Sequence, residues 1–347
     1  MRFAALAFIL SLPSVARAQS VERVTLEGGE VAIYNLVGRL RVEGGSGSNV
    51  VVEVTRVGRE ASRLKLEKGV VHGRMALRIR YPDDRILYSD ANWNGRTTLT
   101  VSDDGTWGDS QRGGYDRRRI EVSSRGDGVD AHADLRVTVP KGKTLVLRQG
   151  VGETTIDNVD GQLSVDVSAS RVRASHLRGS LQLDAGSGGV EVTDMNGDLS
   201  LDSGSGGAVL DGVRGGSLKM DVGSGSLRGR DLVVSQITAD VGSGGVRLSA
   251  VKSPRIQLET GSGGTDIEML TAPDDVNIEA GSGGVTLRMP AATSAYIDVE
   301  TGSGGIDSDF EVKLTRIEKH ALHGTIGSGK GRIKIEAGSG HVRLMRS

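Results

Sequence analysis

Short runs in which Val, Ile, Leu and Met alternate with polar residues recur along the chain on a near-fixed period. The pairs Leu181/Leu183, Leu199/Leu201, Leu218/Met220, Ile237/Ala239, Ile256/Leu258, Val276/Ile278, Ile297/Val299 and Ile333/Ile335 each stand just before a Gly-Ser-Gly phrase. Leu145/Leu147 before Gly150 and Leu163/Val165 before Ser168 are looser copies of the same frame. Alternation with period 2 belongs to strands that bury one face. The phrases start at Gly186, Gly204, Gly223, Gly242, Gly261, Gly281, Gly302, Gly327 and Gly338, most of them 18–21 residues apart. A second alternation usually follows, as in Val190-Glu191-Val192 and Val246-Arg247-Leu248. Each unit holds two or three short strands and must stack on its neighbours to bury its apolar face. The pattern predicts an all-β parallel β-solenoid (β-helix) of about ten coils, right-handed by the usual crossover rule.

The Gly-rich phrase reads as a corner. Glycine supplies positive φ without steric cost, and corners stacked at about 4.8 Å favour small residues. Two residues before each corner stands an acid: Asp166, Asp184, Asp202, Asp221, Asp240, Glu259, Glu279, Glu300 and Glu336. Alternation turns this column outward, where like charges at strand spacing repel. The expected compensation is a hydrogen bond from the corner amides to each carboxylate. A ladder of hard cations such as Ca²⁺ is the other reading.

The chain divides in three. Residues 1–18 read as a signal peptide: Arg2, an apolar run from Phe3 to Leu12, and Ala16-Arg17-Ala18 before a cut at Gln19. Residues 19–133 form an irregular β region that begins and caps the rod, and 134–347 the repeat solenoid. Within the N-terminal region, residues 81–118 are polar and weakly periodic. They gather Tyr81, Tyr88, Trp93, Trp107 and Tyr115 beside Arg112, Arg117, Arg118 and Arg119. These residue types dominate binding hot spots, which makes the segment the candidate contact site; a packed excursion covering the rod is the plainer alternative.

Composition narrows the function. Aromatic residues make up only 3%, glycine numbers 52 and cysteine is absent. Disulfides, thiolate metal sites and a lipid-modified cysteine are therefore excluded. A net charge of −1 gives no broad pull toward nucleic acid or anionic membrane. Beyond the leader, no apolar run reaches transmembrane length.

From Asp134 the chain reads Asp-Leu-Arg-Val-Thr-Val-Pro140-Lys-Gly142, then the repeats, and closes on Gly324-Thr-Ile-Gly-Ser-Gly-Lys-Gly-Arg-Ile-Lys-Ile-Glu-Ala-Gly-Ser-Gly340-His-Val-Arg-Leu344. Over about residues 130–345 this resembles the bacterial putative-adhesin domain of unknown function, related to the head domain of putative autotransporter adhesins. The resemblance implies a β-helix-like fold and an adhesin role, with no catalytic residues to carry over.

The chemistry of the residues points the same way. A glycosidase needs two carboxylates in one cleft, whereas this acid column lies on a repeating ridge without aromatic sugar platforms. His320 and His323 could share a helical face, but no third ligand lies nearby in sequence, and they read as an exposed connection. No metal, cofactor or catalytic residue is expected. The function expected is a non-catalytic binding or scaffold protein, exported to the periplasm or cell surface, with a cell-surface, envelope or glycan partner. The alternatives are a carbohydrate-active β-helix lyase or hydrolase, or a structural envelope component.

Overall fold

The computed structural model describes residues 21–90, 93–108 and 117–347. The expected signal peptide, Arg112 and Tyr115 lie outside the described residues. Among the described residues the chain is all-β, with one short 3-10 turn, and most of the strands join a single long sheet.

Through the middle of the chain, the strands Lys143–Asp157, Asp160–Ala185, Val190–Ser203, Ala208–Val222 and Leu227–Val241 pair in parallel with one another in chain order. The alternating apolar positions come into register as the spacing predicts. Leu181 lies opposite Leu199, Leu199 opposite Leu218, Leu218 opposite Ile237, and Ile237 opposite Ile256. All are buried, so each pair extends a continuous apolar column along the stack. Complete burial of such a side chain contributes about 1.5–3 kcal/mol, and repetition along the columns supplies the solenoid-like core. Beyond residue 245 each coil is interrupted. Val246–Lys252 and Arg255–Thr260 pair with Thr265–Met269 and Asp275–Ala280, still in parallel.

The corner glycines are needed for a different reason from the one the sequence predicts. Positive φ does not occur at the glycines of the stacked corners from Gly186 to Gly304. Close approach of backbones is the constraint instead. A Cβ on Gly244 would lie 1.8 Å from the carbonyl oxygen of Gly225 in the coil below. Positive φ is found at a second corner, on the other side of the coil. Asn158, His176, Asp194, Gly212, Asp231 and Ala250 hold φ between 50° and 70° at matching positions of successive coils. Asn, Asp and His tolerate this region better than other side chains.

Both ends of the stack depart from parallel order. The first coil is Glu30–Gly45, which pairs in parallel with Lys143–Asp157, so the stack begins well before residue 134. Antiparallel strands close this end: His132–Pro140 pairs with Val50–Val57, which pairs with Val21–Leu26, and Lys65–Val71 lies on Arg74–Arg80. At the other end the chain doubles back. Ala295–Thr301 forms the outer coil, the hairpin Val312–Glu318/Ala321–Ile326 folds antiparallel beside it, and Gly331–Ala337 then inserts between Asp275–Ala280 and Ala295–Thr301. The corners follow the same order: Gly338 stacks on Gly281, and Gly302 on Gly338. The Gly327 phrase is not in this column and forms a turn against Ser294, with φ of 59°.

Residues 85–130 add a second, four-stranded sheet of Arg85–Leu87, Arg96–Ser102, Arg117–Ser123 and Val129–Asp130. Its Ile86, Leu99, Val101, Ile120 and Val122 are buried and continuous with the main core. The described part of the weakly periodic segment thus belongs to a small β-layer packed against the first coils.

Candidate functional site

The outward acids form one row. Asp184, Asp202, Asp221, Asp240, Glu259, Glu279, Glu336 and Glu300 lie opposite one another in that spatial order. The expected hydrogen bonds from corner amides are not how these acids are accommodated. Gly204 N donates to Ala185 O at 2.9 Å and Ser205 N to Gly186 O at 3.0 Å, and later corners repeat this pattern. The backbone ladder between coils therefore uses the donors. Burial pushes the Asp202 carboxyl above the usual carboxylate range, and the charges of Asp184 and Asp221 add to the effect. Two acids of the longer column are paired with cations: Arg148 Nε lies 3.7 Å from Asp166 Oδ2, and Lys334 pairs with Glu336. Toward the C-terminal end of the row, Asp240, Glu259, Glu279, Glu336 and Glu300 line a shallow groove of about 640 Å³ beside the corner.

The aromatic segment is arranged otherwise than the contact-site expectation requires. Tyr81, Tyr88 and Trp107 are buried, and Trp93 is partly buried against the core. The Tyr81 hydroxyl donates to Val37 O at 2.9 Å, inside a buried network in which Asn35 bonds Ala133 O and Gln149 bonds Gly38 O. Burial pushes the Tyr81 phenol far above its ordinary value. Tyr88 stacks edge-on against His132 at 5.0 Å and lies 5.8 Å from Trp93. A chain this poor in aromatics uses its large rings to fill the seam between the small sheet and the first coils, which withdraws them from a contact surface. The arginines divide. Arg118 is held by Asp84 at 3.1 Å and by Tyr81 O at 3.0 Å, whereas Arg117 and Arg119 are exposed. Along the seam, Trp93–Thr97 and the corner residues Gly152, Ser170 and Gly188 border a groove of about 480 Å³.

A third cluster lies at the C-terminal end. His323 is on the strand Ala321–Ile326, directly opposite Asp298 of Ala295–Thr301. Its Nδ1 is 2.9 Å from Asp298 Oδ1 and its Nε2 is 3.8 Å from Glu300 Oε1. His320 points elsewhere, with Nδ1 3.3 Å from Gly304 O. The helical reading of this histidine pair therefore fails, because His320 lies in the hairpin turn and His323 on the strand that follows it. Sequence reasoning missed the partners of His323 because they come from a strand across the sheet. The available signal was the alternation that turns Asp298 and Glu300 to one face.

No helix among the described residues is long and apolar enough to cross a membrane. A comparison with curated proteins found no match. Among solved structures, the chain is similar to a crystal structure of a putative cell adhesion protein from Clostridium sporogenes. The identity is 13%, the match covers 95% of this chain and 100% of the other, and the TM-score is 0.22. The family model described as Toastrack DUF4097 matches residues 98–345, which is more than half of the chain. The chain therefore belongs to the Toastrack DUF4097 family.

Proposed function

We propose that this chain is an exported, non-catalytic binding or scaffold protein of adhesin type, acting at the periplasmic or outer face of the cell envelope. The observation that carries this reading is the outer surface of the stack. Its most ordered polar feature is a row of equivalent carboxylates, one per coil, rather than one cleft with unlike groups set against each other. Catalysis needs a nucleophile or acid whose surroundings differ from its neighbours', whereas a repeated surface suits an extended partner. The right-handed, ten-coil description of the rod is part of the same reading. Antiparallel strands at both ends favour a self-contained unit over a component that stacks end to end.

The test is fractionation of cells expressing the tagged full chain, followed by capture on intact cells and on isolated envelope polysaccharide. The expected result is recovery in an exported fraction and retention on one of those surfaces, with no new reducing ends or unsaturated products. Recovery in the cytoplasm, or release of cleaved polysaccharide, would overturn the proposal.

A further inference from the structure

We propose that Asp298, Glu300 and His323 form a binding site for a divalent transition-metal ion, with zinc the best fit, that pins the C-terminal hairpin to the outer coil. Among the described residues, these three bring one histidine and two carboxylate ligand atoms within 4.8 Å of one another. The placement follows from the sheet. Asp298 and Glu300 are alternate residues of one strand, and His323 lies opposite Asp298 on the antiparallel neighbour, so all three project from the same face.

The histidine supplies the argument for an ion. Both of its ring nitrogens face carboxylate oxygens, at 2.9 Å and 3.8 Å. A neutral imidazole has only one N–H. It can therefore offer a proton to one of the two carboxylates and not to both. The nitrogen without the proton presents a lone pair toward a carboxylate oxygen, and that contact is favourable only with a positive charge in it, either a second ring proton or a metal ion. Carboxylate–histidine–metal sites have this arrangement: a carboxylate fixes the tautomer through one nitrogen, and the other nitrogen binds the ion. The gap fits as well. Zinc holds nitrogen and carboxylate oxygen at about 2.0–2.2 Å each, so two of its ligands can stand 3.8 Å apart. On the neighbouring strand Glu336 lies in register with Glu300 and Lys334 with Asp298, and these two pair with each other, so that strand adds no net charge to the cluster. An imidazole ligand favours zinc, copper or nickel over the calcium or magnesium that carboxylates alone would take. His323 and Asp298 are 17% and 25% exposed, which leaves the site partly shielded but open to water for the remaining positions. The ion would join a strand of the hairpin to the outermost coil, where the stack has no further neighbour to hold it.

The experiment is titration of the metal-stripped full chain with Zn²⁺ by calorimetry, with thermal melting and hydrogen exchange of residues 321–326 measured on the same samples. One strong equivalent is expected, with a Tm rise of a few degrees and slowed exchange in that strand. His323→Gln should abolish the strong equivalent. Glu300→Gln, at an exposed position and therefore well tolerated by the fold, should abolish it too. Asp298→Asn should weaken it about 10–100-fold, as expected for a residue that orients a ligand. A Glu259→Gln/Glu279→Gln variant in the acid row should bind as the parent does. The proposal is overturned by the absence of a strong equivalent, by one that survives both His323→Gln and Glu300→Gln, or by one that disappears with the acid-row variant.

Discussion

The Gly-Ser-Gly phrases at Gly242–Gly244 and at Gly327–Gly329 use the same three letters for different physical ends. The first is a stacked corner in the middle of the rod. Its glycines have no left-handed φ, but a Cβ on Gly244 would come within 1.8 Å of a backbone oxygen in the coil below. The second is an isolated turn after the terminal hairpin. Gly327 holds φ of 59°, and a Cβ there would first meet the Ser294 side chain, at 3.2 Å. In the rod the constraint comes from another coil, and in the turn it comes from the residue's own backbone. Identical sequence therefore marks the same structural role only where the apolar pair before it is also in register.

This difference can be broken by substitution. Gly244→Val should have the largest effect, destabilising by at least about 3 kcal/mol in denaturant unfolding, because relief requires whole coils to separate. Gly244→Asn should be no better tolerated than Gly244→Ala, since left-handed φ is not what the site requires. Gly327→Ala should cost about 1–2 kcal/mol, the ordinary strain of a side chain in the left-handed region. Gly327→Asn should cost less, because Asn adopts that region more readily. Equal tolerance of Asn at the two positions would remove the distinction.

The smallest expected effect concerns the carboxylates beside the stacked corner. Burial and like charges raise the pKa of Asp202 in the folded state. Its ionisation therefore opposes folding at pH values above that raised pKa. The penalty is relieved as pH falls through the raised value toward the ordinary one. Asp202→Asn should accordingly raise Tm slightly at pH 7, and the gain should shrink as pH falls through the raised pKa and the parent carboxyl takes up its proton. A gain that grew as pH fell would mean that Asp202 is stabilised as the anion.

Much of the fold was legible because the columns repeat. Leu199, Leu201 and their equivalents could be aligned by eye, and they stack as aligned. The order of the last coils was not legible. Ile297/Val299 and Ile333/Ile335 carry the same pattern, so either coil satisfies the apolar columns of Val276/Ile278, and only the hairpin between them decides which one docks first. The second corner escaped notice because Asn158, His176, Asp194, Gly212, Asp231 and Ala250 share a backbone conformation but no single residue type. The aromatic segment was found, but its role was not. Concentration of rings in a sequence does not separate a surface patch from a seam, and Tyr81, Tyr88 and Trp107 fill a seam. The His323 cluster depends on cross-strand register, which local spacing does not carry.

The central claim is that one set of equivalent coils builds the rod and that the final coil in sequence is the penultimate one in space. Because the chain has no cysteine, introduced pairs report neighbours without interference. Arg332 lies opposite Asp275 on one side and opposite Tyr296 on the other, which places Asp275 and Tyr296 two strands apart. At strand spacing, neighbouring positions are about 4.8 Å apart and next-nearest ones about 9.6 Å, beyond the span of a disulfide. Mild oxidation should therefore cross-link the Asp275→Cys/Arg332→Cys and Tyr296→Cys/Arg332→Cys pairs and leave Asp275→Cys/Tyr296→Cys open. Rapid cross-linking of Asp275→Cys/Tyr296→Cys, with Asp275→Cys/Arg332→Cys unreactive, would place the coils in simple chain order and contradict the account.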